Sequence, residues 1–308
     1  IVPTTPLPSK RTSVGHFFSV PHATKELKQP KTFHDQINLL RDRGMIIECE
    51  KIAEYFLSQN NYYHLNIYFH KFMDAKDHFR EGTSFSHIIG IYRNDSWLRN
   101  KLLTVLEPIE IRIQTQIAHH LGIKYGADAL YRKDIYRNET TYSKNIERIL
   151  KQLERRASEP IIKHHKVNYG GLFPIWVVVE FLSFSMLSKF YNSLNGKDRK
   201  EIAKQSYCID DSLLSNWLQS LCVLRNICAH YGYLYKRRYP TPLKIENSIS
   251  KNILRNNELF AYFLAIKRLS EKEAWSLFIS QIDNFKIASS TFRLMDYGFQ
   301  VDWKSHLY

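Results

Sequence analysis

The sequence predicts an all-α protein. Apolar residues recur every three or four positions in one segment after another, and no stretch of useful length alternates between apolar and polar residues as a strand would. Glycine (11) and proline (10) are scarce among the 308 residues, which disfavours sandwich folds with their many turns. The apolar fraction of 44% and the aromatic fraction of 14% exclude a disordered chain.

The chain divides into three regions. Residues 1–30 form a basic tail punctuated by prolines, residues 31–130 form an N-terminal helical part, and residues 131–308 form a second helical part. No internal repeat of fixed period is present. We expect the two helical parts to make one continuous globular unit.

The first helices are predicted from their end signals. Thr32 is an N-cap candidate for a helix with apolar residues at helical spacing, and Gly44 is placed to end that helix. A second helix is expected over about 49–59. Residues 60–69 fit either a helix or a short extended piece.

A long helical stretch is expected to begin at Thr83 and Ser84 and to close at Gly126. Pro108 should start or kink a helix within it, because proline has no N–H to donate along the helix. Residues 132–168 follow with ten Lys and Arg against five Asp and Glu, which indicates a solvated helix plus a loop.

The rest of the chain is predicted to hold four helices and a basic loop at 236–256. The helices cover about 174–194, 212–230, 257–268 and 271–284. Glu180 lies midway along the first of them, which is otherwise apolar, and a buried carboxylate there would need a partner. It is either a structural ion pair or a support that orients Arg225 or Arg112.

The charge of the chain points to a polyanionic partner. Lys and Arg outnumber Asp and Glu by 44 to 30, a formal net charge of +14. Such a surplus suggests nucleic acid or an anionic membrane face, and we favour nucleic acid over the alternative that the charge only maintains solubility. No apolar run approaches the ~20 residues of a membrane span, so no membrane partner is expected. The four cysteines form no CxxC pair, which fits free thiols in a reducing cytoplasm.

Common catalytic and cofactor motifs are missing from the sequence. It contains no Walker A loop, GxGxxG, HExxH or GxSxG pattern. The adjacent pairs His119-His120 and His164-His165 point about 100° apart on a helix, so neither pair converges on one metal. We therefore expect no metal and no cofactor.

One segment carries residues suited to RNA chemistry, namely Leu224-Arg225-Asn226-Ile227-Cys228-Ala229-His230. Histidine titrates near neutral pH and can move a proton between a ribose 2′-OH, water and the leaving oxygen. A guanidinium can hold the phosphate and oppose the charge that builds on its oxygens. The pair predicts metal-free RNA cleavage.

Spacing alone does not single out this pair, because similar Arg…His spacings occur at four places in the chain. The surrounding sequence is what distinguishes it. Arg225 and His230 lie late in an apolar helix. Arg112 and His119 are the second candidate pair, and we interpret them as part of a solvated polar stripe on a helix. Residues 225–255 hold seven Lys and Arg against one acid, interleaved with tyrosines that can stack on bases. The predicted RNA-binding residues are Tyr231, Tyr233, Tyr235, Lys236, Arg237, Arg238 and Lys244.

The geometry of one helix separates the two predicted catalytic groups. Five residues correspond to about 140° of rotation, so Arg225 and His230 do not project together, whereas Asn226 and His230 do. A cleft between two helices, or between two protomers across a two-fold axis, would bring them together. A homodimer with a composite site follows as a hypothesis.

The motif Arg225-Asn226-x-Cys228-Ala229-His230 resembles the signature of HEPN-domain ribonucleases, and closely that of the AbiD/AbiF-like abortive-infection proteins of the Abi family. Further blocks resemble that family in the same order over about residues 31–304. They include Asn61-Tyr62-Tyr63-His64-Leu65, Leu106-Glu107-Pro108-Ile109-Glu110, Pro174-x-Trp176-x3-Glu180 and Gly298-Phe299-x2-Asp302-Trp303.

The resemblance implies a HEPN-like helical bundle with additional N-terminal helices and metal-independent endoribonuclease activity. Arg225 and His230 would be catalytic, and Asn226 would support them. It also implies a bacterial, cytoplasmic phage-defence or toxin–antitoxin role. Target RNA, and a structured non-coding RNA acting as antitoxin or guide-like RNA, are the partners that it suggests. The alternatives are a non-catalytic RNA-binding protein that forms a ribonucleoprotein with a small RNA, and a helical interaction module.

Overall fold

The computed structural model describes residues 29–247 and 255–308, and over these ranges helices are the only regular secondary structure. Three isolated β-bridges occur among them, but no strand. The all-α prediction is therefore confirmed. All but the last two residues of the predicted 1–30 tail, and part of the predicted 236–256 loop, lie outside the described residues.

Thirteen α-helices are present in the described part of the chain. They are α1 (Phe33–Asp42), α2 (Glu50–Gln59), α3 (Tyr62–Phe69), α4 (Phe85–Tyr125), α5 (Glu139–Arg155), α6 (Pro160–Asn168), α7 (Ile175–Val178), α8 (Phe184–Ser193), α9 (Gly196–Tyr207), α10 (Asp211–Ala229), α11 (Leu259–Leu269), α12 (Lys272–Ala288) and α13 (Trp303–Leu307).

The predicted ends of α1 are confirmed. The Thr32 hydroxyl accepts the N–H of Asp35, and the Asp35 carboxylate accepts the N–H of Thr32, so the two residues form a capping box. Gly44 follows the helix with a φ of 91°, a left-handed conformation that glycine adopts without steric cost. Local signals therefore determine both ends of this helix.

Helix α4 is the central element of the fold. Its 41 residues span about 60 Å, and it packs against α7, α9, α10, α11 and α12. Pro108 lies inside it, and the helix continues through that position rather than starting there. The neighbours Leu106 and Ile109 are almost fully buried, so core packing offsets the hydrogen bond that proline removes.

Two predictions about the middle of the chain were wrong, and one helix was missed. Residues 132–168 form two helices, α5 and α6, with Pro160 at the start of the second. The single helix expected over 174–194 is broken, because Ser183 accepts the N–H of Met186 and caps a new helix, α8. Asn195 likewise begins α9, a helix that periodicity did not reveal.

Helix α10 lies in the interior, against α4 on one side and α8 on another, with α9 and α11 nearby. Leu214, Leu218, Leu221 and Leu224 are fully buried, which explains its apolar pattern. Among the described residues, no helix is both long and apolar enough to cross a membrane. The core thus fixes α10 in place and brings its last turn to the surface.

Candidate active site at the end of helix α10

Arg225 borders an open groove of 650 Å³ between α4 and α10. Its Nε atom lies 3.7 Å from Oε2 of Glu110 on α4, and its side chain is 38% exposed. The other lining residues are Asn100, Leu103, Thr104, Glu107, Ile111, Gln114 and Ala229. A guanidinium that is anchored on a buried helix but open to solvent can contact a phosphate.

Glu110 is the partner that sequence reasoning did not connect with Arg225. Its side chain is 15% exposed. Burial raises the pKa of the Glu110 carboxyl, and the neighbouring Arg225 opposes that rise. The only hint in the sequence was a carboxylate beside Pro108 within an apolar helix, and nothing in it specified which cation would face that carboxylate.

Asn226 lies beside Arg225 and reaches back along the helix. Its Oδ1 accepts a long hydrogen bond of 3.5 Å from Nη1 of Arg225, and its Nδ2 lies 3.7 Å from Sγ of Cys222. Burial raises the pKa of the Cys222 thiol, and raises that of Cys228 to about 12. Both thiols are therefore protonated at neutral pH, and neither is suited to act as a nucleophile.

His230 is the C-cap residue of α10, and its side chain is exposed. The N–H of Gly232 donates to the Ile227 carbonyl at 2.7 Å, and the N–H of Tyr231 donates to that of Cys228 at 3.3 Å. This is the hydrogen-bond pattern of a Schellman motif, with Tyr231 in the left-handed position at a φ of 59°. The backbone that carries His230 is thus held by two specific bonds.

Position 232 leaves little room for a side chain. A Cβ atom there would lie 2.8 Å from Cγ2 of Ile227 and 3.0 Å from the Ile227 carbonyl oxygen. Tyr231, by contrast, adopts a left-handed conformation that costs a non-glycine residue about 1 kcal/mol or more. The two hydrogen bonds of the cap hold Tyr231 in this strained conformation.

Helix α4 also holds the turn that follows His230. The carboxylate of Asp95, which is fully buried, accepts the N–H groups of Leu234 at 2.6 Å and Tyr235 at 3.1 Å. It also accepts the hydroxyls of Tyr68 and Tyr297. Burial raises the pKa of the Asp95 carboxyl, and these four donors oppose the rise.

Arg99 lies one turn further along α4 and forms another contact between α4 and the turn after His230. It is also buried, and its Nη1 donates to the carbonyl of Gly232 at 3.3 Å. One helix therefore sets the position of both ends of the motif, since Glu110 contacts Arg225 and the Asp95–Arg99 turn holds the residues after His230.

Within one chain, Arg225 and His230 do not share the groove. Arg225 and Ala229 line it, whereas His230 is not among its lining residues. This agrees with the rotation expected between positions five apart on a helix. Asn226 contacts Arg225 and also Cys222, which lies one turn earlier on the helix face that carries Asn226 and His230.

The predicted RNA-binding residues differ in their exposure. Lys236, Arg238 and Lys244 are exposed, and Tyr231 is 70% exposed. Tyr235 is buried, so its predicted role in stacking on a base is wrong. The reason is that it packs in the core, where its ring contacts those of Phe72 and Tyr297.

Arg237 is less accessible than the sequence suggested. Its guanidinium lies 4.4 Å from the centre of the Tyr233 ring and 5.9 Å from that of Tyr239. It also donates to the Tyr233 carbonyl. Arg237 and Tyr233 therefore contact each other, which leaves less of either side chain available to a ligand.

Neither of the two predicted support residues lines the Arg225 groove. Glu180 is exposed in a 3-10 turn between α7 and α8, so the expectation of a buried carboxylate was wrong. Arg112 pairs with Glu271 at the start of α12, at 2.5 Å. The acid that faces Arg225 is Glu110.

A group of three possible metal ligands, His120, Asp198 and Glu201, lies between α4 and α9. Lys124 fills its centre, with Nζ 2.8 Å from Asp198 Oδ1 and 2.5 Å from Glu201 Oε2. Burial would raise the pKa of Asp198, but hydrogen bonds from His120, Lys124 and Tyr125 outweigh it and hold that pKa far below its usual range. The ammonium supplies the positive charge, and the cluster is a structural ion network.

The chain is similar to a known protein family. A model of the Abi-like protein family matches residues 55–236, more than half of the chain, and this match includes α4, α10, Arg225 and His230. No curated protein and no solved structure gave a match. Abi stands for abortive infection, a form of phage defence. The extent of the match shows that the chain belongs to the Abi-like protein family.

Proposed function

We propose that this Abi-like protein is a metal-independent endoribonuclease of the HEPN type, which acts in phage defence through abortive infection or as a toxin. The observation that carries the proposal is the end of α10, where Arg225 borders an open groove and a well-built cap presents His230 to solvent. These are the two kinds of group that metal-free RNA cleavage uses.

In the proposed reaction, His230 takes the proton of a ribose 2′-OH, and the freed oxygen attacks the adjacent phosphorus. His230 then gives that proton to the leaving 5′ oxygen. Arg225 opposes the negative charge on the phosphorane oxygens, and Asn226, 3.5 Å from it, orients the guanidinium. The ion pair between Glu110 and Arg225 is long, at 3.7 Å, and the RNA phosphate would replace Glu110 as the partner of the guanidinium. The products carry 2′,3′-cyclic phosphate and 5′-OH ends.

The test is an RNA cleavage assay with the purified protein in EDTA. We expect RNA to be cut without added metal, and mass spectrometry of the 3′ ends to show cyclic phosphate. Replacing the ribose at the cleavage position by 2′-deoxyribose should abolish cutting, because the attacking oxygen is gone. Cleavage that needs a divalent metal, or that continues on the deoxy substrate, would rule out this mechanism.

We propose further that two copies of the chain complete the site. Arg225 and His230 point away from each other on α10, and a two-fold axis beside the end of this helix would place Arg225 of one copy near His230 of the other. Such a homodimer would have two identical composite sites.

A mixing experiment tests the composite site. Arg225→Ala and His230→Ala proteins are each expected to be inactive, but unfolding and refolding them together should restore about a quarter of wild-type cleavage. The reason is that half of the dimers are mixed, and each mixed dimer keeps one intact site. No recovery, with mixed dimers shown by native mass spectrometry, would place both groups of the site within one chain.

Exposed basic residues beside the cap support RNA as the partner. Lys236 and Arg238 are open to solvent a few residues after His230, and Tyr231 is available for stacking, whereas Lys244 is exposed beside Trp217, in the other half of α10. We propose that they hold the target RNA or a structured non-coding RNA that acts as an antitoxin, as in an AbiD/AbiF-like system of the bacterial cytoplasm.

The second candidate is a non-catalytic RNA-binding protein that forms a ribonucleoprotein with a small RNA. The observation that favours it is the ion pair between Arg225 and Glu110, which offsets part of the charge that catalysis would need. RNA binding at low salt without cleavage under any condition would support this candidate over the first.

A further inference from the structure

A second pocket, of 430 Å³, lies near the C-terminal end of the chain. Its walls come from α10, the segment 243–246, α11, the start of α12 and α13. It has no lining residue in common with the Arg225 groove. Its volume is in the range of pockets that hold small organic ligands.

The pocket carries a surplus of positive charge. Its cations are Lys244, Lys267, Arg268 and Lys272, and its one lining carboxylate, Glu246, lies 3.3 Å from Nε of Arg268. Lys267 donates to the backbone oxygens of His306 and Tyr308, while Lys244 and Lys272 are exposed at the rim. An anion that enters meets two cations whose side chains are accessible to it.

Two buried polar atoms in the pocket lack a hydrogen bond. The side chain of His306 is 9% exposed, and its Nε2 forms no hydrogen bond, with Asp302 Oδ2 3.6 Å away. Oγ of Ser270 is also buried without a partner. Such atoms cost free energy unless something pairs with them, so they point to a ligand that accepts hydrogen bonds.

The first turn of α12 reaches the same place. The helix is 17 residues long, and no side chain caps it, because the carboxylate of its N-cap residue Glu271 pairs with Arg112 instead. The first N–H groups of a helix have no partners within the helix, and its dipole favours negative charge there. Lys272 at this position adds a full positive charge.

One wall of the pocket is apolar. It includes Trp217 of α10, Leu264 of α11 and Trp275, about one turn along α12 from Lys272. The indole N–H of Trp217 donates to the carbonyl of Lys244 at 2.7 Å, which fixes the segment carrying that lysine to α10. A ligand with a flat apolar part and an anionic part would match both walls.

We propose that this pocket binds a nucleotide, with its phosphate at the start of α12 beside Ser270 and His306, and its base against the apolar wall. The nucleotide is either free or one unit of an RNA strand, and the chemistry of recognition is the same for both. The proposal goes beyond RNA cleavage, because it holds whether or not Arg225 and His230 cut RNA.

The test is isothermal titration of the full chain with AMP, with inorganic phosphate and with a short single-stranded RNA in separate runs. We expect Lys244→Glu and Lys272→Glu each to weaken AMP or RNA binding by about tenfold or more, since each reverses a charge beside the phosphate. Lys286→Glu is the matched control, because it makes the same charge change at an exposed position on α12 outside the pocket. Circular dichroism checks that every variant is folded.

The outcomes separate clearly. If AMP binds and its binding is lost in both pocket variants but kept in Lys286→Glu, the ligand is a free nucleotide. If only RNA binds, and its binding is lost in the same two variants and kept in Lys286→Glu, the ligand is a nucleotide within a strand. Equal losses in all three variants would mean that binding follows net charge only, which overturns the proposal. It also fails if neither AMP nor RNA binds, or if phosphate binds as tightly as AMP.

Discussion

His230→Ala is expected to lower the rate of RNA cleavage by about 100-fold or more, because general acid–base catalysis contributes a factor of that size. Arg225→Ala should have a comparable effect, of about 100-fold or more, because it removes the positive charge that faces the phosphorane. Both side chains are at least partly exposed, so their loss should leave the fold intact. Cleavage is measured in EDTA with a labelled RNA, under single-turnover conditions.

The matched control is His119→Ala. His119 is exposed on α4 and belongs to the second Arg…His spacing in the chain, but it lies away from the end of α10. It should cleave at the wild-type rate. A loss in His119→Ala equal to that in His230→Ala, or full activity of His230→Ala, would show that the end of α10 is not the active site.

Asp95→Leu is expected to lower the free energy of unfolding by about 3–5 kcal/mol, which is among the largest effects of a single substitution. It leaves the N–H groups of Leu234 and Tyr235 and two tyrosine hydroxyls without their acceptor in a buried place. Asp95→Asn should cost less, because its amide oxygen still accepts hydrogen bonds. Urea unfolding followed by circular dichroism gives the values.

Asp42→Leu serves as the control for this series, since Asp42 is exposed near the end of α1. It should change the free energy of unfolding by no more than about 0.5 kcal/mol. If Asp95→Leu were as stable as Asp42→Leu, the buried network would not be holding the turn after His230. A folded Asp95→Asn protein with reduced cleavage would in turn show that this turn positions His230.

Local signals predicted α1, α2 and the last two long helices closely. In each case the information lies within a few neighbouring residues, such as the Thr32 cap of α1, and the same holds for the apolar stripe of α10. Predictions failed where a cap was overlooked, as at Ser183 and Asn195. At Pro108 no helix starts, because core packing offsets the hydrogen bond that proline removes and α4 continues through it.

The site was predictable only in part. The motif on α10 stands out by residue type, so Arg225, Asn226 and His230 could be selected from the sequence together with the exposed residues after them. The contact of Glu110 with Arg225 could not be, because it joins α4 and α10 across a long separation in sequence. Tyr235 and Glu180 show the same limit, since composition does not tell which side of an element is covered.

By itself, the sequence determined the helical class, the resemblance to the Abi family and the residues that can perform metal-free RNA chemistry. These depend on periodicity and residue type, which are local. Only the tertiary structure decided that α4 holds both ends of the motif through Glu110, Asp95 and Arg99. It also decided that a separate pocket with a cationic lining lies at the start of α12. The physical reason is that burial, ion pairing and unpaired polar atoms arise only when distant segments pack together.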